Sequence, residues 1–416
     1  ALRSAGGPLR HLMNILFLCH RLPYPPKRGG KIRPFNMIRH LARNHRVTVA
    51  TLARSPEELA EGRALADHCH ELHVERIGPI AGWLRFGLHT ATAYPATFGY
   101  FYSPALDRAV KRVLARGDID AILVHCSSMG PYVAGHQGCR KIMDFGDADS
   151  EKWIEYGRSA PFPLSVGFRR EGQKVRRFER RLAERFDACS VTAPREREVL
   201  GTYVKRPIHV FPNGVDSEYF RPGRGPTEPY LQDRLIFTGN MSYKPNVEAV
   251  QHLVRDVLPR IWDRRPGAQL YIVGMDPVSA VRRLADGQRV LVTGRVDDVR
   301  PYFDSAAVAL APLRIARGLQ NKVLEAMAMR VPVVASPAAF NGINATADRD
   351  LLVADGPGAF SRAVVSLLDD PARRERYAAA GRACVEDNHD WGRILGGLEA
   401  LVVSRGERTA ATAGAA

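Results

Sequence analysis

The chain has few of the features that single out a function at a glance. Its 416 residues include six cysteines, Cys19, Cys69, Cys126, Cys139, Cys189 and Cys384, and no two stand as C-x-x-C. Several lie in apolar, strand-like runs, which reads as buried reduced thiols and excludes a disulfide framework or a thiol-redox motif. His68-Cys69-His70 follows no zinc spacing and reads as a strand edge. No apolar run reaches the roughly 20 residues of a membrane-spanning helix. Ala1–Leu12 has no signal-peptide core, so Met13 reads as the functional start, and Gly406–Ala416 reads as a disordered tail. These readings place the chain in the cytoplasm. A G-x-G-x-x-G dinucleotide fingerprint is missing from the loop after the first strand. Gly30-Lys31 there lacks the earlier glycine of a Walker A loop, and Ile32 stands where the magnesium-binding hydroxyl belongs. A nicotinamide dehydrogenase and a P-loop NTPase are thereby excluded. Motifs for nucleic-acid binding are also missing.

What is present begins with charge. The formal net charge is +16, which calls for an anionic partner: a phosphorylated substrate, an acidic membrane surface or nucleic acid. Apolar β-branched runs alternate with helical patterns, so the fold class is α/β with parallel sheets covered by helices. The first half predicts strands at Asn14–Cys19, Val47–Leu52, Ala121–His125, Lys141–Phe145 and Ala188–Thr192. It predicts helices at Lys31–Arg43 and over 168–186. The second half restarts the pattern, with strands at Leu235–Thr238, Leu270–Val273, Val290–Thr293, Val308–Ala311 and Val333–Ala335. Helices fit at Val247–Trp262, Ala280–Ala285 and Asn321–Met329. The Pro- and Gly-rich stretch Ser217–Asp233 separates the halves. The expected domains are 13–218 and 232–384, with 385–404 a C-terminal helix returning to the first domain. Ligands of such sheets bind beyond the carboxyl ends of the strands, and a cleft between two facing domains is the default site.

The most informative segment is Ala311–Ser336, APLRIARGLQNKVLEAMAMRVPVVAS. A strand ends near Pro312, a loop carrying Gly318 follows, and a helix opens near Gln320. Gly318 permits close backbone approach to a ligand, and the N–H groups of Leu319, Gln320 and Asn321 make an anion site at the helix end. Glu325 lies four residues beyond Asn321, roughly 6 Å along the same face. A carboxylate there is placed to accept ribose hydroxyls while the helix end holds a diphosphate. The alternative is an ordinary βαβ connection with a surface glutamate.

This segment resembles the donor-site signature of the retaining family-4 glycosyltransferases of GT-B fold. Other motifs match in the same order: Asn213-Gly214-Val215-Asp216, then Phe237–Asn246 (FTGNMSYKPN), then Gly294-Arg295-Val296. Within that family the run Asp144–Trp153 (DFGDADSEKW) and the run Gln320–Met329 are similar to the sugar transferases of exosortase/PEP-CTERM exopolysaccharide loci. The resemblance implies two Rossmann-like domains with parallel sheets facing across a cleft. The implied reaction moves a sugar from a nucleoside diphosphate sugar to a glycan or polyprenyl-linked acceptor, with retention. No metal or other cofactor is implied, and nucleic acid is not a partner.

Residue roles follow from the resemblance where the motifs align. Gly29, Gly30, Gly239, Asn240, Arg295, Val296, Gly318, Leu319, Gln320, Asn321 and Glu325 fall at donor-binding positions. Lys244 matches a cation that neutralises the leaving diphosphate, with an exposed loop lysine as the alternative. The family pattern has two glutamates eight positions apart; Glu325 matches the second, and Arg317 replaces the first. Arginine only donates hydrogen bonds, so Arg317 is expected to bind the donor diphosphate or a sugar carboxylate, or else to be solvated. Asp147 stands where many members place a donor-sugar histidine, though Asp147 or Asp149 also suits capping of a helix over Ser150–Tyr156.

The helix at 168–186 carries Arg169, Arg170, Lys174, Arg176, Arg177, Arg180, Arg181 and Arg185. It reads either as a solvated face or as adhesion to anionic lipid at the inner face of the cell membrane. The aromatic stretch Trp83–Tyr102 reads as an acceptor path or as core. Rival functions are a sugar-nucleotide epimerase or phosphorylase of the same fold, and a degenerate transferase that only binds.

Overall fold

The computed structural model describes residues 12–26, 29–223, 233–316 and 319–404. The expected extension up to residue 11, the expected tail, and Arg317 and Gly318 of the donor loop lie outside the described residues. The chain forms two compact units, one of Ala1–Phe211 with Leu395–Ala416 and one of Pro212–Ile394.

The first unit holds a seven-stranded sheet: β1 (Asn14–Cys19), β2 (Arg46–Ala53), β3 (Glu71–Arg76), β4 (Ala121–His125), β5 (Arg140–Gly146), β6 (Ala188–Val191) and β7 (Ile208–Val210). The order is β3-β2-β1-β4-β5-β6-β7, and every pairing is parallel. Chain order reverses between β1 and β4, which makes their carboxyl ends the natural crevice for a ligand. Helices of this unit include α1 (Gly29–Leu41), α2 (Pro79–Thr90), α3 (Ala96–Tyr100), α4 (Asp149–Ser159) and α5 (Leu164–Glu184). The β1 and β4 side chains are buried almost throughout, as a sheet covered on both faces requires.

The second unit repeats the plan with β8 (Arg234–Thr238), β9 (Gln269–Val273), β10 (Val290–Gly294), β11 (Val308–Ala311), β12 (Val333–Ala335) and β13 (Leu352–Val353). Its order is β10-β9-β8-β11-β12-β13, again all parallel, with the reversal between β8 and β11. Here α6 (Lys244–His252), α7 (Asn321–Ala328) and α8 (Pro371–Asn388) matter for the site and its support. The expected helix over Val247–Trp262 exists, but a wider π turn interrupts it at Leu253–Val257. Pro259 has no N–H for an α-helical bond, and a π turn is one way for a helix to absorb that loss.

Residues 385–404 do not form one helix. Their first part ends α8, and α9 (Trp391–Val403) begins after a break at His389-Asp390. The break is built from polar contacts. His389 is fully buried, its carbonyl accepts from Val215 N at 2.8 Å, and its Nε2 accepts from Asn344 N at 3.1 Å. Asp390 Oδ1 then accepts from Gly392 N at 2.8 Å and Arg393 N at 3.2 Å, starting α9 as a cap does. The Asn213–Asp216 turn packs here: a Cβ on Gly214 would lie 2.6 Å from the His389 carbonyl oxygen. Within the first unit, Glu399 of α9 accepts from His40 Nε2 (2.9 Å), Asn44 Nδ2 (2.9 Å) and His45 Nε2 (3.1 Å).

Candidate functional site

In the second unit, three adjacent strands lead to glycine at their carboxyl ends. Gly239 follows β8, Gly274 follows β9, and Gly294 ends β10. Two of these positions need glycine for reasons beyond conformation. A Cβ on Gly274 (φ 150°) would sit 1.7 Å from the Gly239 carbonyl oxygen. One on Gly239 (φ 153°) would sit 2.7 Å from Asn246 Nδ2 and 3.1 Å from Lys322 Nζ. The backbone at the end of β8 therefore lies directly against two polar side chains, one from the helix that follows it and one from far along the chain.

Those two side chains are bonded to each other. Lys322 Nζ donates to Asn246 Oδ1 at 2.6 Å, and Asn246 Nδ2 donates to the Asn240 carbonyl at 2.8 Å. The ammonium also stands 4.1 Å over the Phe237 ring. Burial pushes the Lys322 pKa down to about 7, with the negative charge of Glu325 working against it. Burial likewise pushes the Glu325 carboxyl up to about 7, with Lys322 working against it. Lys322 and Glu325 both belong to α7, one turn apart. No described side chain caps α7. Its first-turn N–H groups at Asn321 and Lys322 add partial positive charge at the same end. Ammonium, helix end and carboxyl thus meet at the strand reversal of the sheet. This end is chemically suited to an anion with hydroxyl groups attached.

The remaining expected residues of this unit fall around it. Leu319, Gln320 and Asn321 are half-buried at the α7 start, and Arg317 and Gly318, just before them, lie outside the described residues. Asn240 organises the loop after β8: its Oδ1 accepts from Ser242 N (2.7 Å) and Ser242 Oγ (2.6 Å). Lys244 opens α6, is 86% exposed, and pairs with Glu248 at 3.7 Å. After β10, Arg295 is exposed, while Val296 packs on the hydrophobic core.

In the first unit the carboxyl ends of β1, β4 and β5 carry a second polar cluster. Asp144 is fully buried on β5. It accepts from Arg33 Nε (3.1 Å) and Nη2 (2.8 Å), from Ser190 Oγ (2.7 Å) and from His125 Nδ1 (2.7 Å). Burial alone would raise its pKa, yet the Arg33 guanidinium and the His125 bond hold it well below the usual carboxylate range. The Asp144 bond fixes His125 Nδ1 as the protonated nitrogen and sets the ring orientation. His20, just after β1, lies 6.3 Å ring to ring from His125. Burial, then the neighbouring His125 and Arg21, push its pKa well down, and its buried Nδ1 has no partner among the described residues. An unpartnered buried nitrogen beside an oriented imidazole makes this crevice a candidate site.

The loop residues foreseen from sequence lie near this cluster in different environments. Gly29 and Gly30 form the first turn of α1. Lys31 is buried and ion-paired with Glu58 at 2.7 Å. Asp147 is exposed and accepts from Thr192 Oγ1 at 2.7 Å. Neither Asp147 nor Asp149 caps α4, whose cap residue Ala148 makes no side-chain bond. Asp149 instead accepts from Ser127 Oγ at 2.9 Å, and burial raises its pKa. Cys126 holds a left-handed φ of 75° beside them, a strained conformation for a side-chain-bearing residue. His68, Cys69 and His70 form no metal site: among the described residues, no cluster of three such ligands occurs. The aromatic stretch divides, with Phe98 buried and Trp83 exposed.

Sequence reasoning passed over Lys322, Asn246, Arg33 and His125 as site residues. Lys322 carried a usable signal, since it precedes Glu325 by one helical turn. Asn246 ends the matching run Phe237–Asn246, but neither it nor Arg33 carried a signal that names its partner, 76 and 111 positions away.

Residues 28–219 match the family described as "Glycosyltransferase Family 4", and residues 232–370 match "Glycosyl transferases group 1". The chain is 32% identical over 197 residues to the "GDP-mannose-dependent monoacylated alpha-(1-6)-phosphatidylinositol monomannoside mannosyltransferase" of Corynebacterium glutamicum. That match covers 43% of this chain and 52% of the relative, about half its length. It is 27% identical over 303 residues to the "Phosphatidyl-myo-inositol mannosyltransferase" of Mycobacterium tuberculosis, covering 70% of this chain and 75% of the relative. Among solved structures, sucrose-phosphate synthase of Thermosynechococcus elongatus superposes with a TM-score of 0.64 at 19% identity, covering 94% of this chain and 98% of that one. Anabaena HepE, solved with UDP and glucose, superposes at 0.63 with 13% identity, covering 94% and 99%. At these identities the structural likeness concerns the fold.

Proposed function

With this chain a glycosyltransferase of GT-B fold, a family 4 domain followed by a group 1 domain, we propose that it moves a sugar from a nucleoside diphosphate sugar to a glycan or polyprenyl-linked acceptor. The transfer proceeds with retention and serves exopolysaccharide or another cell-surface glycan. One observation carries the donor assignment: the Lys322–Asn246 pair lies against the Gly239 backbone, one turn from Glu325. Breaking the anomeric bond leaves negative charge on the diphosphate, and a preset ammonium at a helix end stabilises it most where water is scarce. Lys322 and the α7 N–H groups hold the diphosphate, Glu325 takes the ribose, and Arg295 and Val296 flank the base. Lys244, exposed and loosely paired, reaches the leaving phosphate, with Arg317 as a further cation. These fixed charges serve in place of a divalent metal, so chelation leaves turnover unchanged. In the first unit Gly29, Gly30 and Asp147 are assigned to sugar and acceptor handling, together with His125, oriented by Asp144. The GDP-mannose-dependent relative makes GDP-mannose the first donor to try.

The cationic exposed face of α5 supports peripheral attachment to an anionic membrane, where a lipid-linked acceptor resides. Calorimetry with GDP-mannose, UDP-glucose and UDP-N-acetylglucosamine tests the donor site. Lys322→Met and Glu325→Ala are expected to weaken binding by ~10-fold or more each. Retained affinity in both variants contradicts the assignment. Turnover of a bound donor without acceptor favours the epimerase reading.

A further inference from the structure

We propose that α2, together with a basic cavity behind its carboxyl end, is the element that docks the protein on anionic phospholipid, apolar side chains entering the bilayer and arginines holding the phosphates. The inference deepens the membrane reading above and rests on it.

Ile80, Trp83, Leu84 and Leu88 are 76%, 62%, 69% and 68% exposed. Their spacing of three, four and eight residues puts all of them on one helical face. A water-soluble surface seldom leaves four large apolar side chains so open along one helix. The helix contains no acidic residue.

The attachment of α2 to α5 explains why this face points away from the core. Lys174 Nζ donates to the carbonyls of His89 (2.9 Å) and Thr90 (2.8 Å), closing the carboxyl end of α2. Glu171 accepts from Ala96 N (3.1 Å), Thr97 N (2.8 Å) and Thr97 Oγ1 (2.8 Å), closing the amino end of α3. The junction of α2 with α5 is therefore polar, and the apolar stripe is left for another partner.

Charge supplies the identity of that partner. The acids Glu171 and Glu179 of α5 are buried, whereas Arg170, Arg177, Arg180 and Arg181 are exposed. Glu184, in the last turn, is the one exposed acid of that helix. A cavity of about 240 Å³ opens where the two helices meet, lined by Ala91, Thr92, Arg170, Gln173, Lys174 and Arg177 among others. Its polar lining suits a phosphate, and the neighbouring stripe suits acyl chains. An in-plane amphipathic helix beside arginines is the arrangement that binds anionic interfaces, each part reinforcing the other.

The test uses the full chain and flotation with phosphatidylcholine vesicles, with and without about one third phosphatidylglycerol. Wild type is expected to float only with the anionic vesicles, and its tryptophan emission to shift to the blue. Trp83→Phe is expected to float but lose most of the shift, because Trp153 and Trp262 are half-buried and Trp391 is buried. Trp83→Ser/Leu84→Ser is expected to lower vesicle affinity by ~10-fold or more. Arg170→Glu/Arg177→Glu is expected to abolish the preference for anionic lipid. Unaltered melting temperatures and nucleotide binding keep folding apart from docking. Full affinity in the serine variant, with the arginine variant still defective, overturns docking by α2 and leaves the membrane reading standing. Failure of wild type to bind either vesicle overturns both. Sedimentation that finds a dimer dissolved by the serine substitutions assigns the stripe to a second copy and overturns the lipid assignment.

Discussion

Two half-buried ionisable residues, Lys322 and Glu325, are shifted to about 7 from opposite sides by the same cause, burial, and a bound diphosphate would act on Lys322. An anion next to Lys322 favours its ammonium, whereas ribose hydroxyls donating to Glu325 favour its carboxylate. Diphosphate binding at Lys322 is therefore linked to proton uptake near pH 7. Above that pH, Lys322 is neutral in the free protein, and loss of its ammonium opposes the anion. Affinity for the nucleotide is expected to fall as pH rises through about 7, by up to ~10-fold per pH unit for each linked proton. Titrations in buffers of different ionisation enthalpy measure the uptake directly. Asp144 is the second residue whose removal has a large expected effect. Asp144→Asn leaves the buried Arg33 guanidinium without its carboxylate counter-charge, a change that costs about 3–5 kcal/mol. A melting curve checks it. The depressed Asp144 pKa contributes stability that is complete above 3.8, its ordinary value, and is lost as pH falls below it. Glu325 was readable from helix spacing alone. Its companion Asn246 was not, because a polar residue early in a helix has no local feature that names a partner 76 positions away.

At the scale of elements, strand legibility followed burial. β1, β4, β8, β11 and β12 are covered on both faces, so each is a short continuous apolar run and stands out in the sequence. β3 is an edge strand with Glu71, His73 and Glu75 alternating along it, and every side chain is at least partly accessible. β7 and β13 are three and two residues long, too short for a period to register. The break between α8 and α9 was hidden because His389 is buried through backbone contacts that a side-chain pattern does not encode. Within the first unit, α9 is held by the Glu399 carboxylate, by the bond from Arg140 Nε to the Leu401 carbonyl (2.9 Å) and by buried Leu395, Leu398 and Val402. Glu399 has its pKa lowered: burial opposes this, but the bonds from Asn44 and His40 prevail. That contribution is present above pH 4.5 and is lost as pH falls below it. Glu399→Ala is expected to cost ~1–3 kcal/mol and to open residues 395–403 to hydrogen exchange before the sheet of the first unit opens.

For the whole molecule, the excess of positive charge is a matter of distribution as much as amount. Lys31, Arg33 and Lys141 are buried and engaged with Glu58, Asp144 and backbone carbonyls, respectively. The arginines of α5 are left as an exposed block, with two of that helix's acids turned inward. Adhesion to anionic vesicles is accordingly expected to weaken steeply with salt, because exposed charges are screened within about 10 Å at 0.1 M ionic strength. Nucleotide binding is expected to respond far less, since Lys322 and Glu325 are sheltered. Flotation and calorimetry across a salt series separate the two surfaces. The sequence alone supported two α/β halves and an anion site in the second half. Which cation serves that site was not legible, since Lys244 and Lys322 differ in burial and not in type.

The donor assignment is therefore tested most directly by one calorimetric comparison of wild type, Lys322→Met and Lys244→Met binding GDP-mannose, or whichever nucleoside diphosphate sugar binds best, at about pH 6 and about pH 8. Tighter binding is expected at the lower pH with proton uptake, loss of affinity and of the uptake change in Lys322→Met, and only a modest loss in Lys244→Met. Equal affinity at both pH values, together with an unimpaired Lys322→Met, would contradict it.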